Sequence, residues 1–428
     1  MRAEHRGTLI VGAGAAGLNC ALHLPAGEDV LVICKGGLKE SDSFLAQGGI
    51  CVLRDAGDEA GYFEDTMRAG HYENDPETVR CMIVHSRETI DELISFGVRF
   101  ARDEEGALAY TREGAHSRPR IVFHADCTGR EITSRLLRAA QKRTNVELRP
   151  YTAMVDLLFG VHGECVGAAV RDRHSGEVSL VYAGNTVLAT GGVGGLFAHS
   201  TNYRILTGDG VGAALAHGVA TQHLDYVQFH PTTLYTRGRG RRFLISESVR
   251  GEGAQLLNAA GERFVDELLP RDVVTAAIRA QMRREGSDHV RLDLRTVRGG
   301  KRTLEEHFPG IVRRCRKEGY DVFSQSVPVV PAQHYFMGGV KSDLSGRTNA
   351  PHLYAVGETC CNGVHGRNRL ASNSLLEALI FARRAAQDIA AGSRARGGAS
   401  WDHTQQEIDA MLKARRKRVK EETHHEGE

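Results

Sequence analysis

The sequence predicts a mixed α/β chain in which one ligand-binding domain is interrupted by an inserted, more helical segment. Three observations lead there. An apolar run passes through a G-x-G-x-x-G turn into an amphipathic helix at "TLIVGAGAAGLNCALHL" (8–24). Further apolar runs end at glycines in "NTVLATGGVGGLF" (185–197) and at a carboxylate in "HLYAVGETCCNG" (352–363). Between these late runs, over 222–332, helical patterns such as "RDVVTAAIRAQMRRE" and "TLEEHFPGIVRRCRKEG" replace the glycine-rich strands.

The first unit continues into a second apolar run, "DVLVICK", which completes a βαβ pattern. Gly12, Gly14 and Gly17, with Ala15 and Ala16 between them, allow a tight turn and bring backbone N–H groups and a helix N-terminus to a pyrophosphate. Lys35 stands where many such folds carry an acidic residue for ribose hydroxyls, which argues against an ordinary NAD site. "LTGDGVGAALAHG" (206–218) opens another helix behind Gly208, Asp209 and Gly210. Glycine-marked strand ends from residue 12 to residue 358 therefore belong to one dinucleotide domain, spanning 1–221 and 333–392, with the insertion at 222–332. Residues 393–428 read as a linker and a polar, basic helix whose 413–420 run is a solvated face.

Bulk properties exclude several classes. The 428 residues are too many for one simple core, and 41% hydrophobic with 25% charged residues is ordinary globular composition. A net charge of +2 gives no electrostatic footprint for nucleic acid. No run of about 18 uncharged apolar residues would span a membrane, and the N-terminus runs directly into a strand without a signal-peptide pattern. Nine cysteines, odd in number and without C-x-x-C, read as reduced thiols of a cytoplasmic enzyme, and no metal site is expected.

Six motifs then occur in order: "SFLAQGGI" (43–50), "QFHPTTL" (228–234), "SESVRGEGA" (246–254), "LPRDVV" (269–274), "QHYFMGGV" (333–340) and "NRLASNSLLE" (368–377). Together they resemble the succinate dehydrogenase and fumarate reductase flavoprotein superfamily, and within it the L-aspartate oxidase branch. The resemblance covers about residues 7–392. It implies a GR2-type, Rossmann-like FAD domain, with an α+β capping domain inserted that closes over a C4 dicarboxylate. It also implies a C-terminal helical domain that this chain largely lacks. Asp42 stands where respiratory relatives carry a flavin-linking histidine, so non-covalent FAD is expected.

The resemblance assigns roles. Ser43, Gln47, Gly48, Gly49, Thr190, Gly191, Gly192, Ser374 and Leu375 join the first turn, Lys35 and Asp209 around FAD, and Glu358 suits a ribose or ribityl hydroxyl. Ser374 and Glu377 read as a capping box opening a helix aimed at the flavin. Arg271 from the cap and Arg369 from the flavin domain would grip two carboxylates, with His230, His334, Gln228 and Ser246 as further contacts. An arginine guanidinium loses a proton only above about pH 12, which favours Arg271 as a clamp over a proton carrier.

Glu113, in "TREGAHSRPRI", resembles the oxidase branch and suits a substrate ammonium, with Arg112 and Arg118 expected to keep it ionised. Arg367, beside the substrate loop, is expected to crowd the carboxylate pocket or add a charge to it. The implied reaction is hydride loss from Cα of L-aspartate to flavin N5, giving iminosuccinate. Oxygen or fumarate would reoxidise the flavin, and quinolinate synthase would be the downstream enzyme in NAD biosynthesis. A fumarate reductase or succinate dehydrogenase relative and a non-catalytic flavin-binding relative remain alternatives.

Overall fold

Branched apolar side chains over Leu9–Val11 form the buried end of a long strand, β1 (Arg2–Val11). The structure is a computed structural model that describes all residues except 1, 239, 393–398, 400 and 425–428. Past Val11 the chain turns through Gly12 into helix α1 (Ala15–His23) and then β2 (Val30–Ile33). Gly12 has φ +127°, and a Cβ there would stand 2.0 Å from the Ala189 carbonyl oxygen, so the turn requires glycine.

Helix α2 (Thr128–Gln141) leads to β3 (Val146–Arg149), followed by the meander β4 (Thr152–Phe159), β5 (Cys165–Asp172) and β6 (Val178–Leu188). The sheet order is β3-β2-β1-β6-β5-β4, parallel from β3 to β6 and antiparallel beyond. Val11 is in register with both Ile33 and Leu188, so three parallel strands end level. In an open α/β sheet that carboxyl edge is where ligands bind. Helix α3 (Asp209–Ala216) starts there behind Gly208, in the left-handed conformation.

A second sheet begins with β7 (Val227–Leu234) and β8 (Phe243–Leu244), followed by the short helix α4 (Glu247–Gly251) and β9 (Gln255–Leu257). Helix α5 (Arg271–Glu285), β10 (Val290–Asp293), α6 (Gly300–His307), α7 (Pro309–Lys317) and β11 (Val327–Phe336) complete it. Strand pairing runs β8-β7-β11-β10-β9, all antiparallel, over a separate apolar core that includes Leu234, Ile278, Leu292 and Val329. The helical pattern over 303–319 is two helices, because Pro309 cannot donate to the turn before it and takes the first position of α7 instead.

The chain returns to the first sheet with β12 (Leu353–Ala355), parallel to β6, where Ala355 meets Leu188. Helix α8 (Asn373–Ala391) then packs beside α1, sharing a core with β1 and β2 through Ala16, Ala382 and Ala385. The expected capping box at its start is absent. Ser372 is the cap, with φ +62°, while Ser374 lies inside the helix and Glu377 accepts from Asn362.

Helix α9 (Gln405–Thr423) carries the capping box of the region, between Thr404 and Glu407. It is not the freely solvated helix its composition suggests. Ile408 and Val419 are buried, Arg415 donates to Asp156 at 2.7 Å, and Val419 fits against Gly208 and Gly212 of the α3 turn. Most of the linker expected ahead of it, 393–398 and 400, lies outside the described residues. All nine cysteines are free. Among the described residues no helix is long and apolar enough to cross a membrane.

Candidate active site

A cavity of about 830 Å³ runs from the level carboxyl edge of the first sheet to the N-termini of α4 and α5. At one end Gly12, Gly14, Ala15 and Ala16 line it, and Ser43 Oγ accepts from the Ala15 N–H at 3.0 Å. Thr190, Gly191, Ser374 and Leu375 line it too. Gly17 and Gly192 do not: Gly17 lets α1 approach the Gly12 carbonyl, and Gly192 makes room for Glu358. Lys35 and Asp209 reach the wall already joined, Nζ to Oδ2 at 2.6 Å, with Thr207 bonded to both.

The wall carries unsatisfied polar atoms. Ser41 Oγ, Asp42 Oδ2 and Gln47 Oε1 are buried without a partner among the described residues. Burial pushes Glu358 up to about 7, against the pull of the Phe336 N–H and Arg369. Asp42 rises well above the carboxylate range, through burial and the charge of Glu358. A glycine-lined turn at a helix N-terminus, a carboxyl group at a neighbouring strand end and orphaned polar atoms between them fit a dinucleotide with a polar ring system. FAD meets that description.

At the other end stand the residues expected for the substrate. Arg271, the first residue of α5, donates from Nε to Glu247 and from Nη1 to Gln228 at 3.0 Å. Arg369 donates from Nη1 to Ser374 at 2.8 Å and lies over the Tyr335 ring at 4.4 Å, while its Nε has no partner among the described residues. Burial and the charge of Arg271 lower Arg369 to about 10. Gln228 stays out of the wall and ties the two arginines together, donating to Asn368 and to the Arg369 carbonyl, each at 2.8 Å. Ser246 lines the wall and caps α4.

His230 and His334 face each other edge to face at 5.1 Å. Burial, then Arg271 and the other neighbouring positive groups, holds both far below the usual histidine range, so both are neutral. The Thr232 N–H donates to His230 Nδ1 at 3.2 Å. That fixes the proton on Nε2, which is buried without a partner among the described residues and is a donor available to an anion.

Glu113 is buried in the same wall, 2% exposed, and is no surface counter-ion. Its Oε1 accepts from Ser248 and its Oε2 from Ser372, both at 2.6 Å. Arg112 and Arg118 do not keep it ionised, since Arg118 turns to Asp55 and Asp58 and neither arginine is a hydrogen-bond partner. Arg120 is consumed by Asp58 and Asp65, at 2.9 and 2.6 Å, and His116 by Arg120 and the Ala371 carbonyl. Burial and the charge of Glu247 raise the Glu113 pKa, opposed by the two hydroxyls and Arg271. Arg367 is a second correction. It is 62% exposed, lies over Tyr226 and faces Glu73 at 3.8 Å, outside the cavity wall.

Sequence reasoning missed Glu247, Arg250, Ser248 and Ser372. Glu247 is buried and held ionised, because Arg271 and Arg250 overrule the effect of burial. The i,i+3 spacing of Glu247 and Arg250 in an apolar setting was the available signal.

The FAD binding domain family matches residues 7–375. L-aspartate oxidase of Clostridium perfringens is 47% identical over 382 residues, 89% of this chain and 86% of that protein. The Pseudomonas aeruginosa L-aspartate oxidase is 43% identical over 400 residues, covering 89% and 74%. A solved variant of the E. coli quinol fumarate reductase superimposes with a TM-score of 0.85 at 29% identity, over 98% of this chain and 75% of that one. With the glycine cradle, the paired arginines and the buried glutamate in place, the chain belongs to the FAD-dependent L-aspartate oxidase family.

Proposed function

We propose that the chain oxidises L-aspartate at Cα to iminosuccinate, with FAD held non-covalently and reoxidised by oxygen or fumarate. The observation that carries this reading is a buried carboxylate, Glu113, in the same cavity wall as Arg271 and Arg369. Two guanidinium groups suit two substrate carboxylates, and a carboxylate suits the single group that distinguishes aspartate from succinate, its ammonium. His230 Nε2–H and His334 add neutral donors to the carboxylates. Glu113 orients the amine and, with its raised pKa, is a better proton acceptor from it than a solvated carboxylate. Bound FAD supplies the acceptor for the hydride that leaves Cα. Residues 222–332 act as the cap, with Arg271 at its inner edge, and closure excludes water from the aligned C–H bond. The reaction is placed in the cytoplasm, with quinolinate synthase consuming the imine.

Anaerobic addition of L-aspartate should bleach the flavin absorbance, and succinate at the same concentration should do so far less. Bleaching by succinate alone would replace this reading with that of a C4-dicarboxylate dehydrogenase. A flavin reduced by dithionite and by neither acid would mark a non-catalytic relative. Because Asp42 offers no imidazole to the ring, acid precipitation should release the yellow colour to the supernatant. Colour kept by the washed pellet would contradict the non-covalent assignment.

One observation favours a second use of the same cavity. Arg271 bonds to Glu247, which faces Arg250 at 3.4 Å, a buried chain of charged groups leading away from the substrate position. Such a chain suits proton delivery to fumarate during reoxidation.

A further inference from the structure

We propose that Ser248 and Ser372 are positioning residues for amine recognition: they hold Glu113 oriented and ionised, and so set the preference for an amino dicarboxylate. The proposal rests on the reading of Glu113 as the ammonium site. Its geometry is specific. Each carboxylate oxygen takes one hydroxyl at 2.6 Å, and all three side chains are buried. An ionised carboxylate oxygen accepts more than one hydrogen bond, so one lone pair on each remains for a ligand. Ser372 lines the cavity with Glu113, while Ser248 holds the carboxylate from the α4 side.

The surrounding backbone is built around this cluster. A Cβ on Gly48 would stand 2.8 Å from Glu113 Oε1, one on Gly114 2.3 Å from Glu247 Oε1, and one on Gly251 2.0 Å from the Arg112 carbonyl oxygen. Gly48 thus lets the turn before Ile50 close on the Glu113 carboxylate, while Gly114 and Gly251 let the 112–114 loop pack against Glu247 and α4. Ser372 itself has φ +62°, where a residue with a Cβ is strained and glycine is not. What glycine would lack is the hydroxyl that reaches Glu113. The strained turn is fixed on both sides, since the Cys51 N–H donates to the Ser372 carbonyl at 3.1 Å and His116 Nε2 lies 3.0 Å from the Ala371 carbonyl.

The hydroxyls also act on charge. Glu113 faces Glu247, Arg271, Arg250, Arg369 and the Cys51 thiol. Burial and Glu247 favour its protonated form, and a protonated carboxyl cannot pair with an ammonium. Hydrogen bonds donated to the carboxylate favour the ionised form. Removing one therefore raises the Glu113 pKa and moves the acid limb of activity to higher pH. Succinate, which has no ammonium, loses no partner by either change.

The test uses the FAD-loaded enzyme with Ser248→Ala, Ser248→Thr, Ser372→Gly and, as a control, Glu113→Gln. Glycine at 372 removes the hydroxyl and relieves the φ strain, so loss of fold is not built into the variant. Flavin content reports the fold. Ser248→Ala and Ser372→Gly should each lower kcat/KM for L-aspartate about ten- to hundredfold, the range of a hydrogen bond to a charged group. Their acid limbs should move to higher pH, the succinate Kd read from the flavin spectrum should hold steady or tighten, and Ser248→Thr should restore the parent profile. Equal losses for both ligands, or an unmoved acid limb, would overturn the positioning role. If Glu113→Gln is selective against L-aspartate while the serine variants are not, only this proposal fails. If Glu113→Gln weakens both ligands equally, the ammonium reading fails and takes the proposal with it.

Discussion

Replacing Arg271 or Arg369 by lysine is expected to lower kcat/KM for L-aspartate by about 2–5 kcal/mol in transition-state stabilisation, with FAD still bound. Lysine keeps the charge and loses the fork. Arg271 already uses Nε for Glu247 and Nη1 for Gln228, so its remaining donors act from a plane set by two fixed partners. One ammonium cannot keep both bonds and reach a substrate carboxylate in the same plane. At Arg369 the loss has a second source. Burial and Arg271 together bring the guanidinium down to about 10, which leaves it charged at neutral pH. A lysine starts lower, near 10.4, and would be driven by the same forces toward neutrality. Neither residue bonds to the glycine turn at 12–16, so the flavin-to-protein absorbance ratio should hold. Near-normal kcat/KM in either variant would remove that arginine from the site.

The cofactor end of this molecule was legible in the sequence because its constraints are local. Gly12 must be glycine for a reason contained within a few residues of its own chain and one neighbouring strand. The same holds for the start of α3 behind Gly208, whose left-handed conformation is set within the turn. The candidate substrate end was marked by a set of motifs whose Arg271, Arg369, His230 and His334 share one cavity wall. What could not be read was who holds whom. The partners of Glu113 lie 135 and 259 residues away, and its sequence neighbours are taken by Asp55, Asp58 and Asp65.

Two helix readings failed for a related reason. "SNSLLE" has the spacing of a capping box, yet Ser372 adopts a left-handed conformation and turns its hydroxyl to Glu113, so the helix starts one residue after it without that box. Helix α9 has few apolar residues, and a count of them predicts solvation. Two suffice, because Val419 meets glycines 208 and 212, whose missing side chains leave a groove, and Arg415 finds Asp156 there.

Glu113→Gln is expected to cost L-aspartate about 1.5–3 kcal/mol, the scale of a hydrogen bond to a charged group, and to leave succinate and fumarate bound as well as before or better. Glutamine keeps the shape and can still accept at one oxygen, so Ser248 or Ser372 retains a partner and the loop need not move. The charge is what disappears. In the parent that charge is maintained against burial and Glu247 by the hydroxyls and Arg271. Protonation therefore removes it as pH falls through the raised pKa, and L-aspartate activity should be lost there first. The variant has no such carboxyl group, so its weaker L-aspartate activity should lack that acid limb. Removing a negative charge beside Arg271 and Arg369 also strengthens their field on a dicarboxylate that carries no ammonium. Preference should move toward fumarate reduction. The measurement is KM for L-aspartate and Kd for succinate, in both proteins at one ionic strength and across pH. An equal effect on the two ligands would mean that Glu113 only holds its loop between α4 and the turn before α8.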